Sequence, residues 1–144
     1  PLYNEDVEKQ GLPASVVTFR QAIAAADGVV IATPEYNYSV PGVLKNAIDW
    51  ASRPPEQPFD GKPLALLGAS PSFVGTARAQ YHLRQVFIYM NAQILNRPEV
   101  FVASAHTKFD AEGHLTDDTT RKHLDSLLEA LLAAVAKKHT LAQS

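Results

Sequence analysis

The sequence has no cysteine, a single methionine and a single tryptophan. Disulfides, thiolate metal sites and thiol catalysis are therefore excluded. No apolar run reaches the roughly 18 residues that a membrane helix needs. The first residues lack the charged and apolar regions of a signal peptide. Lys and Arg form no basic run, and the formal net charge is -2. We therefore expect a cytoplasmic protein without a nucleic-acid or membrane partner.

The overall composition is that of a folded protein. Apolar residues make up 46% of the sequence and charged residues 19%, so the chain is too apolar for a disordered protein. A length of 144 residues is enough for one hydrophobic core. We expect residues 1–144 to form a single domain.

Strand and helix patterns alternate along the chain, which predicts an α/β domain with a mostly parallel sheet. The β-branched run at 28–32 has no polar alternation and predicts a central strand covered on both faces. A second buried strand is expected over 62–69 and a weaker one over 101–103. Helices are predicted over 13–26, 41–51 and about 75–92. The last helix begins near Thr116 or Asp117, either of which can cap it, and packs on the sheet through Leu124, Leu127, Leu128, Leu131, Leu132 and Val135.

A loop rich in aromatic and turn-forming residues follows the strand at 28–32. Ligands of open α/β sheets bind beyond the carboxyl ends of strands, and a helix start offers unpaired amides. This position suits a flavin, whose own ring does the chemistry while the protein supplies orientation and hydrogen bonds. From the residues alone, a tight strand-to-helix turn with two surface tyrosines explains the loop equally well. The loop reads Thr33-Pro34-Glu35-Tyr36-Asn37-Tyr38-Ser39-Val40-Pro41-Gly42.

Residues 34–50, with the sequence PEYNYSVPGVLKNAIDW, resemble the hallmark segment of the NADPH-dependent FMN reductase family. Segments 27–30, 61–63, 79–85 and 96–99 are similar to chromate and quinone reductases of that family. The resemblance implies a flavodoxin-like, doubly wound parallel sheet in three α/β/α layers, with FMN bound non-covalently. It also implies alternate reduction by NADPH or NADH and oxidation by quinones, free flavins, azo compounds or metal oxyanions such as chromate.

The resemblance assigns the flavin to two loops, of which the second follows the strand at 62–69. Small residues there let backbone amides approach a ring, and hydroxyls can bond its edge. Taken alone, this second loop indicates a structural turn with a capped helix. Family members often have two adjacent glycines where this chain has Gly75-Thr76. The nine predicted cofactor-binding residues are Pro34, Glu35, Tyr36, Asn37, Tyr38, Ser39, Ser70, Ser72 and Gly75.

No side chain is assigned a catalytic or metal-binding role. Glu35 and Asp49 resemble an acid/base pair, but hydride transfer at a flavin needs none, and we expect Asp49 on an exposed helix face. The histidines show no ligand spacing and are expected at the surface or packed on helices. These are His82, His106, His114, His123 and His139.

The resemblance also implies that the chain is N-terminally incomplete. Residues 1–6 are similar to the end of the family's second strand and the loop after it, so that the first strand and first helix, roughly 40 residues, are expected before Pro1. The Ser, Arg and Asn residues that the family places around the FMN phosphate have no counterpart here.

The helix at 75–92 shows two apolar faces. Leu83, Val86, Phe87 and Met90 form the core stripe, and Ala77, Tyr81, Arg84 and Ile88 lie nearly opposite. Tyr and Arg favour interface centres, although a solvated face explains the second stripe equally well. The resemblance implies a homodimer or homotetramer with polar contacts between subunits near the flavins. The predicted interface residues are Tyr38, Arg78, Tyr81, Arg84 and Glu99.

Two classes of function are consistent with the sequence. The first is an NAD(P)H-dependent, FMN-containing reductase of a small-molecule acceptor. The alternative is a non-catalytic FMN-binding electron carrier or a flavodoxin-like interaction protein. Carriers of this type are strongly acidic, and the net charge of -2 therefore favours the enzyme. The residues indicate neither the physiological acceptor nor a preference between NADH and NADPH.

Overall fold

Strand β2 (Pro63–Ala69) lies at the centre of a parallel sheet and pairs with each of the other three strands in the computed structural model, which describes residues 1–142. On one side it pairs with β1 (Val29–Ala32). On the other side its first residues pair with β3 (Gln93–Ile94) and its last with β4 (Val100–Val102). Because all these pairings are parallel, the carboxyl ends of β1, β2 and β4 lie at the same edge of the sheet.

Helices cover both faces of this sheet. They are α1 (Glu5–Lys9), α2 (Ala14–Ala25), α3 (Gly42–Ala51), α4 (Ala77–Tyr89) and α5 (Asp118–Ala142), with a short 3-10 turn at Ala105–Thr107. Helices α2, α3 and α4 pack on one face around Ile23, Ile48, Leu66 and Phe87. Helix α5 packs Leu127 and Leu131 on β2 and β4 from the other face. The α/β architecture with its parallel sheet is therefore confirmed.

Local sequence explains where several elements begin and end. Asp117 accepts a hydrogen bond from the backbone N–H of Thr120 at 2.7 Å, which makes it the cap of α5. Lys62 lies at the entry to β2 and donates to the carbonyl groups of Ala24 and Ala26 at the end of α2, at 3.0 and 2.5 Å. Burial, together with the charge of Lys138, lowers the pKa of Lys62. This lysine therefore ties the end of α2 to the start of β2.

The expectation that β1 is a central strand covered on both faces is wrong, because within residues 1–142 it pairs with β2 alone and Val30 is 41% exposed. Helix α5 lies over β2 and β4 and approaches the start of β1 at Gly28, the residue before this strand, where an added Cβ would lie 2.9 Å from Val135. The same placement leaves Leu128 and Leu132 exposed, so only part of the predicted leucine stripe packs on the sheet.

Other boundaries differ for local reasons. Residues 1–4 form no strand, and α1 follows because the side chain of Asn4 accepts a hydrogen bond from the backbone N–H of Asp6 at 2.8 Å. Helix α4 ends at Tyr89 rather than at residue 92, since Asn91 takes the left-handed conformation with a φ of 51°. Strand β3 has only two residues and carries no sequence pattern that predicts it. No helix within residues 1–142 is long and apolar enough to cross a membrane.

Candidate functional site

The loop after β1 forms a narrow turn at the carboxyl edge of the sheet. Tyr36 and Ser39 exchange two backbone hydrogen bonds of 3.2 and 3.0 Å. The two residues between them, Asn37 and Tyr38, have positive φ angles of 50° and 64°, as a type I′ turn requires. Tyr36 and Tyr38 are 61% and 67% exposed. The turn therefore presents two aromatic rings at the edge where ligands of parallel sheets bind.

Main-chain donors are available in the same turn. Within residues 1–142, the backbone N–H groups of Asn37 and Tyr38 have no hydrogen-bond partner. Exposed amides beside aromatic rings fit the acceptor atoms and the flat face of a flavin ring. The residues present thus fit an isoalloxazine ring held chiefly by backbone groups.

The second predicted loop follows β2 and is held by its own hydrogen bonds. The hydroxyl of Ser70 donates to that of Ser72 at 3.1 Å, and Ser72 donates to the carbonyl group of Gly75 at 3.2 Å. Gly75 has a φ of 60°, which disfavours any other residue, and an added Cβ would lie 3.0 Å from the Phe101 backbone. The two serine hydroxyls are thus engaged in the loop itself. Phe73, which we did not predict as a site residue, is 86% exposed here.

Glu35 joins the first loop to α4. Its carboxylate accepts from the backbone N–H of Ala79 at 3.1 Å and pairs with Arg78 at 3.2 Å. Helix α4 has no side-chain hydrogen bond from its own N-cap residue, Thr76, so Glu35 supplies that contact from another segment. The Glu35 side chain is only 7% exposed. Its carboxylate is therefore committed to α4, and this residue can serve a flavin through its backbone.

Arg78 connects Glu35 with an aromatic ring of the turn. Its guanidinium carbon lies 3.8 Å from the centroid of the Tyr38 ring, within the range of a cation–π interaction. Glu35, Arg78 and Tyr38 thus form one unit, which we call the loop clasp. It fixes the orientation of the turn relative to α4.

Gly68 allows the two loops to approach each other. A Cβ at this position would lie 2.2 Å from both the Thr33 carbonyl oxygen and the Thr76 hydroxyl oxygen. Thr33 and Thr76 are themselves buried. The glycine at the end of a buried strand is the sequence signal that could have identified this contact.

His82 also contacts the predicted site, which the sequence reasoning missed. Its Nδ1 lies 2.9 Å from the hydroxyl of Ser39, across 43 residues of sequence. Its position one helical turn after Arg78 on α4 is the only signal that could have indicated this contact. The bond provides a second attachment between the first loop and α4.

The predicted interface residues contact one another within the chain. Tyr81 donates its hydroxyl to Glu99 at 3.3 Å, and this hydrogen bond raises the pKa of Tyr81. Arg84 lies 3.8 Å from the same carboxylate and donates to the carbonyl group of Leu95 at 2.9 Å, which leaves it largely buried. Tyr81 stays half-exposed and Ile88 is exposed, so part of the outer face of α4 is open to a partner.

Glu35 and Asp49 do not form an acid/base pair, since each carboxylate has a cationic partner of its own. Asp49 is on an exposed face of α3, as expected, and pairs with Lys45 at 2.7 Å. In the part of the chain that the structure describes, no group of three or more His, Asp or Glu residues could hold a metal ion. The site therefore consists of aromatic rings, backbone amides and the loop clasp.

Comparison with known proteins identifies relatives over most of the chain. The family model described as NADPH-dependent FMN reductase matches residues 1–107. An NAD(P)H-dependent FMN reductase of Pseudomonas aeruginosa is 60% identical over 131 residues, which are 91% of this chain and 71% of that protein. A quinone reductase of Escherichia coli K12 is 48% identical over 132 residues, covering 90% of this chain and 70% of the relative.

Solved structures agree with this result. The flavoenzyme FerB, an NAD(P)H:(acceptor) oxidoreductase from Paracoccus denitrificans, superposes with a TM-score of 0.86 at 36% identity and covers 95% of this chain and 75% of its own. The predictions of a flavodoxin-like fold, of an oxidoreductase, and of FMN with a nicotinamide reductant are confirmed at the level of the family. The chain belongs to the NADPH-dependent FMN reductase family.

Proposed function

We propose that this chain, as a single domain, holds FMN at the carboxyl edge of its sheet and passes hydride from NAD(P)H through it to quinones. The observation that carries the proposal is the turn at Tyr36–Ser39, with its free amides and exposed rings held by the loop clasp. The names of the Pseudomonas and Escherichia relatives support both the cofactor and the acceptor.

The chemistry of hydride acceptance and release is supplied by FMN when it is bound. The contribution of the chain is to orient the ring and to exclude water from one side of it. Asn37 and Tyr38 offer backbone donors to the ring edge, and the rings of Tyr36 and Tyr38 offer flat apolar surface. The second loop, with Ser70, Ser72 and Gly75, borders the cofactor through its backbone, because its hydroxyls are bonded internally.

Quinones are the preferred acceptor class in this proposal, with free flavins, azo compounds and oxyanions such as chromate as further acceptors. The exposed tyrosine rings at the site favour planar aromatic acceptors that stack on them. For an oxyanion, the charged group available at these rings is Arg78. We further propose a cytoplasmic homodimer or homotetramer whose subunits meet near the flavins at the outer face of α4.

Anaerobic visible spectroscopy tests the function. Protein loaded with FMN is expected to lose its flavin absorbance on addition of NADPH and to regain it on addition of a benzoquinone. A matched titration with chromate ranks quinones and oxyanions as acceptors by the rate at which the flavin absorbance returns. Flavin that binds but is not reduced by NADPH or NADH would contradict the reductase.

The second candidate is an FMN-binding electron carrier. The specific observation in its favour is the exposed aromatic surface of Tyr36, Tyr38 and Phe73, which also suits a protein partner. The same spectra separate the two functions, because a carrier would be reduced by a partner protein and would not turn over NADPH with quinone.

A further inference from the structure

A crevice lies away from the flavin loops, between α2 and the proline-rich segment that precedes β2. Its volume is about 190 Å³. Its apolar walls come from Leu12, Val17, Ala24, Pro55 and Pro58, and Arg20, Gln21 and Glu56 complete the lining. Helix α2 and the segment at 55–58 both run into the amino ends of their strands, at the edge opposite to the site described above. The crevice is therefore separate from the flavin site.

The guanidinium group of Arg20 is the unusual feature of this crevice. Arg20 is 8% exposed. Its Nη2 donates to the backbone carbonyl group of Glu56, whereas its Nη1 is buried and has no hydrogen-bond partner. No carboxylate of residues 1–142 forms an ion pair with it. A buried positive charge thus meets a single carbonyl oxygen and no counter-charge.

Burying a charge without a counter-charge is costly, and a half-satisfied guanidinium is more costly than one bonded along both edges. A carboxylate is the group that satisfies it best, because its two oxygens match the planar fork of the guanidinium. From this charge complementarity we propose that the crevice is a binding site for a small acid, with one carboxylate on Arg20 and an apolar body against the prolines.

The volume sets the size of the acid. Engineered apolar cavities of about 150 Å³ hold one benzene molecule in other proteins. A crevice of about 190 Å³ therefore accommodates one aromatic ring or a short branched chain together with a carboxylate. Arg20 is among the residues that line the crevice, so a carboxylate bound there would lie beside its guanidinium group. A monocarboxylic acid such as benzoate has the required shape and charge.

Glu56 provides an opposing charge whose effect can be measured. Its side chain is exposed, lines the crevice and has no partner within residues 1–142. Its negative charge repels an incoming carboxylate and competes with it for Arg20. Removing the charges of Glu56 and Arg20 should therefore change the affinity for benzoate in opposite directions.

The test is a titration of the FMN-loaded chain with benzoate, followed by two-dimensional amide NMR. Saturable shifts of the Val17 and Ala24 amides are expected, with a dissociation constant on the order of 1 mM. Arg20→Met should weaken binding about tenfold or more, and Glu56→Gln should tighten it about twofold or more. Benzyl alcohol, the uncharged match of benzoate, should show no saturable shifts. The rate of quinone reduction should stay the same at saturating benzoate.

The proposal is overturned if benzoate causes no saturable shift at α2, or if Arg20→Met leaves the affinity unchanged. Weaker binding to Glu56→Gln would equally overturn it. That variant changes an exposed side chain, so it tests the site even if Arg20→Met does not fold. The result is independent of the proposed function, since a reductase can lack this site and a carrier can have it.

Discussion

Single residues hold the two flavin loops at their observed distance. Gly68 permits contact between the backbone of the first loop and Thr76, and Glu35 links the first loop to the start of α4. Neither contact involves a reactive group. They affect function by fixing the positions of the two loops, since a small displacement of the groups that bind a reactant lowers the rate of its reaction.

Gly68→Ala should destabilise the fold by about 1–3 kcal/mol or more, because the new methyl group would overlap the Thr33 carbonyl group and the Thr76 hydroxyl. Gly42→Ala is the matched control, since a Cβ there meets nothing within 4 Å. Urea unfolding of the two variants measures the difference. Equal midpoints for both variants would show that the loops relax freely.

Glu35→Gln should raise the dissociation constant for FMN about tenfold, since it removes the charge that holds Arg78 and leaves a side chain of equal length. Asp49→Asn removes the same charge from an exposed ion pair and should have little effect. Quenching of FMN fluorescence measures both affinities. If Glu35→Gln binds FMN as tightly as the parent chain, the loop clasp does not position the turn.

At the scale of elements, α5 begins at a side-chain cap. The side chain of Asp117 bonds Thr120, and these hydrogen bonds lower the pKa of Asp117 from its ordinary value of 3.8. A carboxylate with a lowered pKa stabilises the fold above its unfolded pKa. That contribution is lost as the pH falls through the folded pKa.

Asp117→Ala should therefore lower the Tm by about 2–4 °C at neutral pH, and the difference from the parent chain should become smaller as the pH falls through the folded pKa. Asp117→Asn keeps the cap without the charge, so it should retain most of the stability and lose this pH dependence. Thermal unfolding by circular dichroism from pH 7 down to about pH 2 checks both. A constant difference between Asp117→Ala and the parent chain across that range would contradict this assignment.

At the scale of the whole molecule, the outer face of α4 is the surface on which we expect subunits to meet. Glu99 contacts both Tyr81 and Arg84, so it orders the polar groups of this face. Glu99→Gln should lower the mass measured by light scattering, because the contacts that pre-arrange the face are weakened. Glu129→Gln, on the exposed side of α5, should leave the mass unchanged. The interface prediction would fail if Glu99→Gln kept the mass and the activity of the parent chain.

Local patterns alone determined the alternation of strands and helices and a helix cap at Thr116 or Asp117, of which the structure selects Asp117. Uninterrupted β-branched runs and helical spacing are signals that a few neighbouring residues carry. The same patterns located the first loop after β1, and the resemblance of residues 34–50 to a known family assigned the flavin to it. These predictions depend either on contacts between residues close in sequence or on the resemblance of residues 34–50, taken as one segment, to the family.

Only the tertiary structure decided which distant residues meet. Glu35 contacts Arg78 and Ala79 across more than 40 residues, and Arg20 contacts Glu56 across 36. No local pattern encodes such pairs, because they depend on how helices pack on the sheet. For the same reason, the exposure of Val30 and Leu132 could not be predicted: both are apolar at regular spacing, and only the placement of α5 determines which apolar residues are covered.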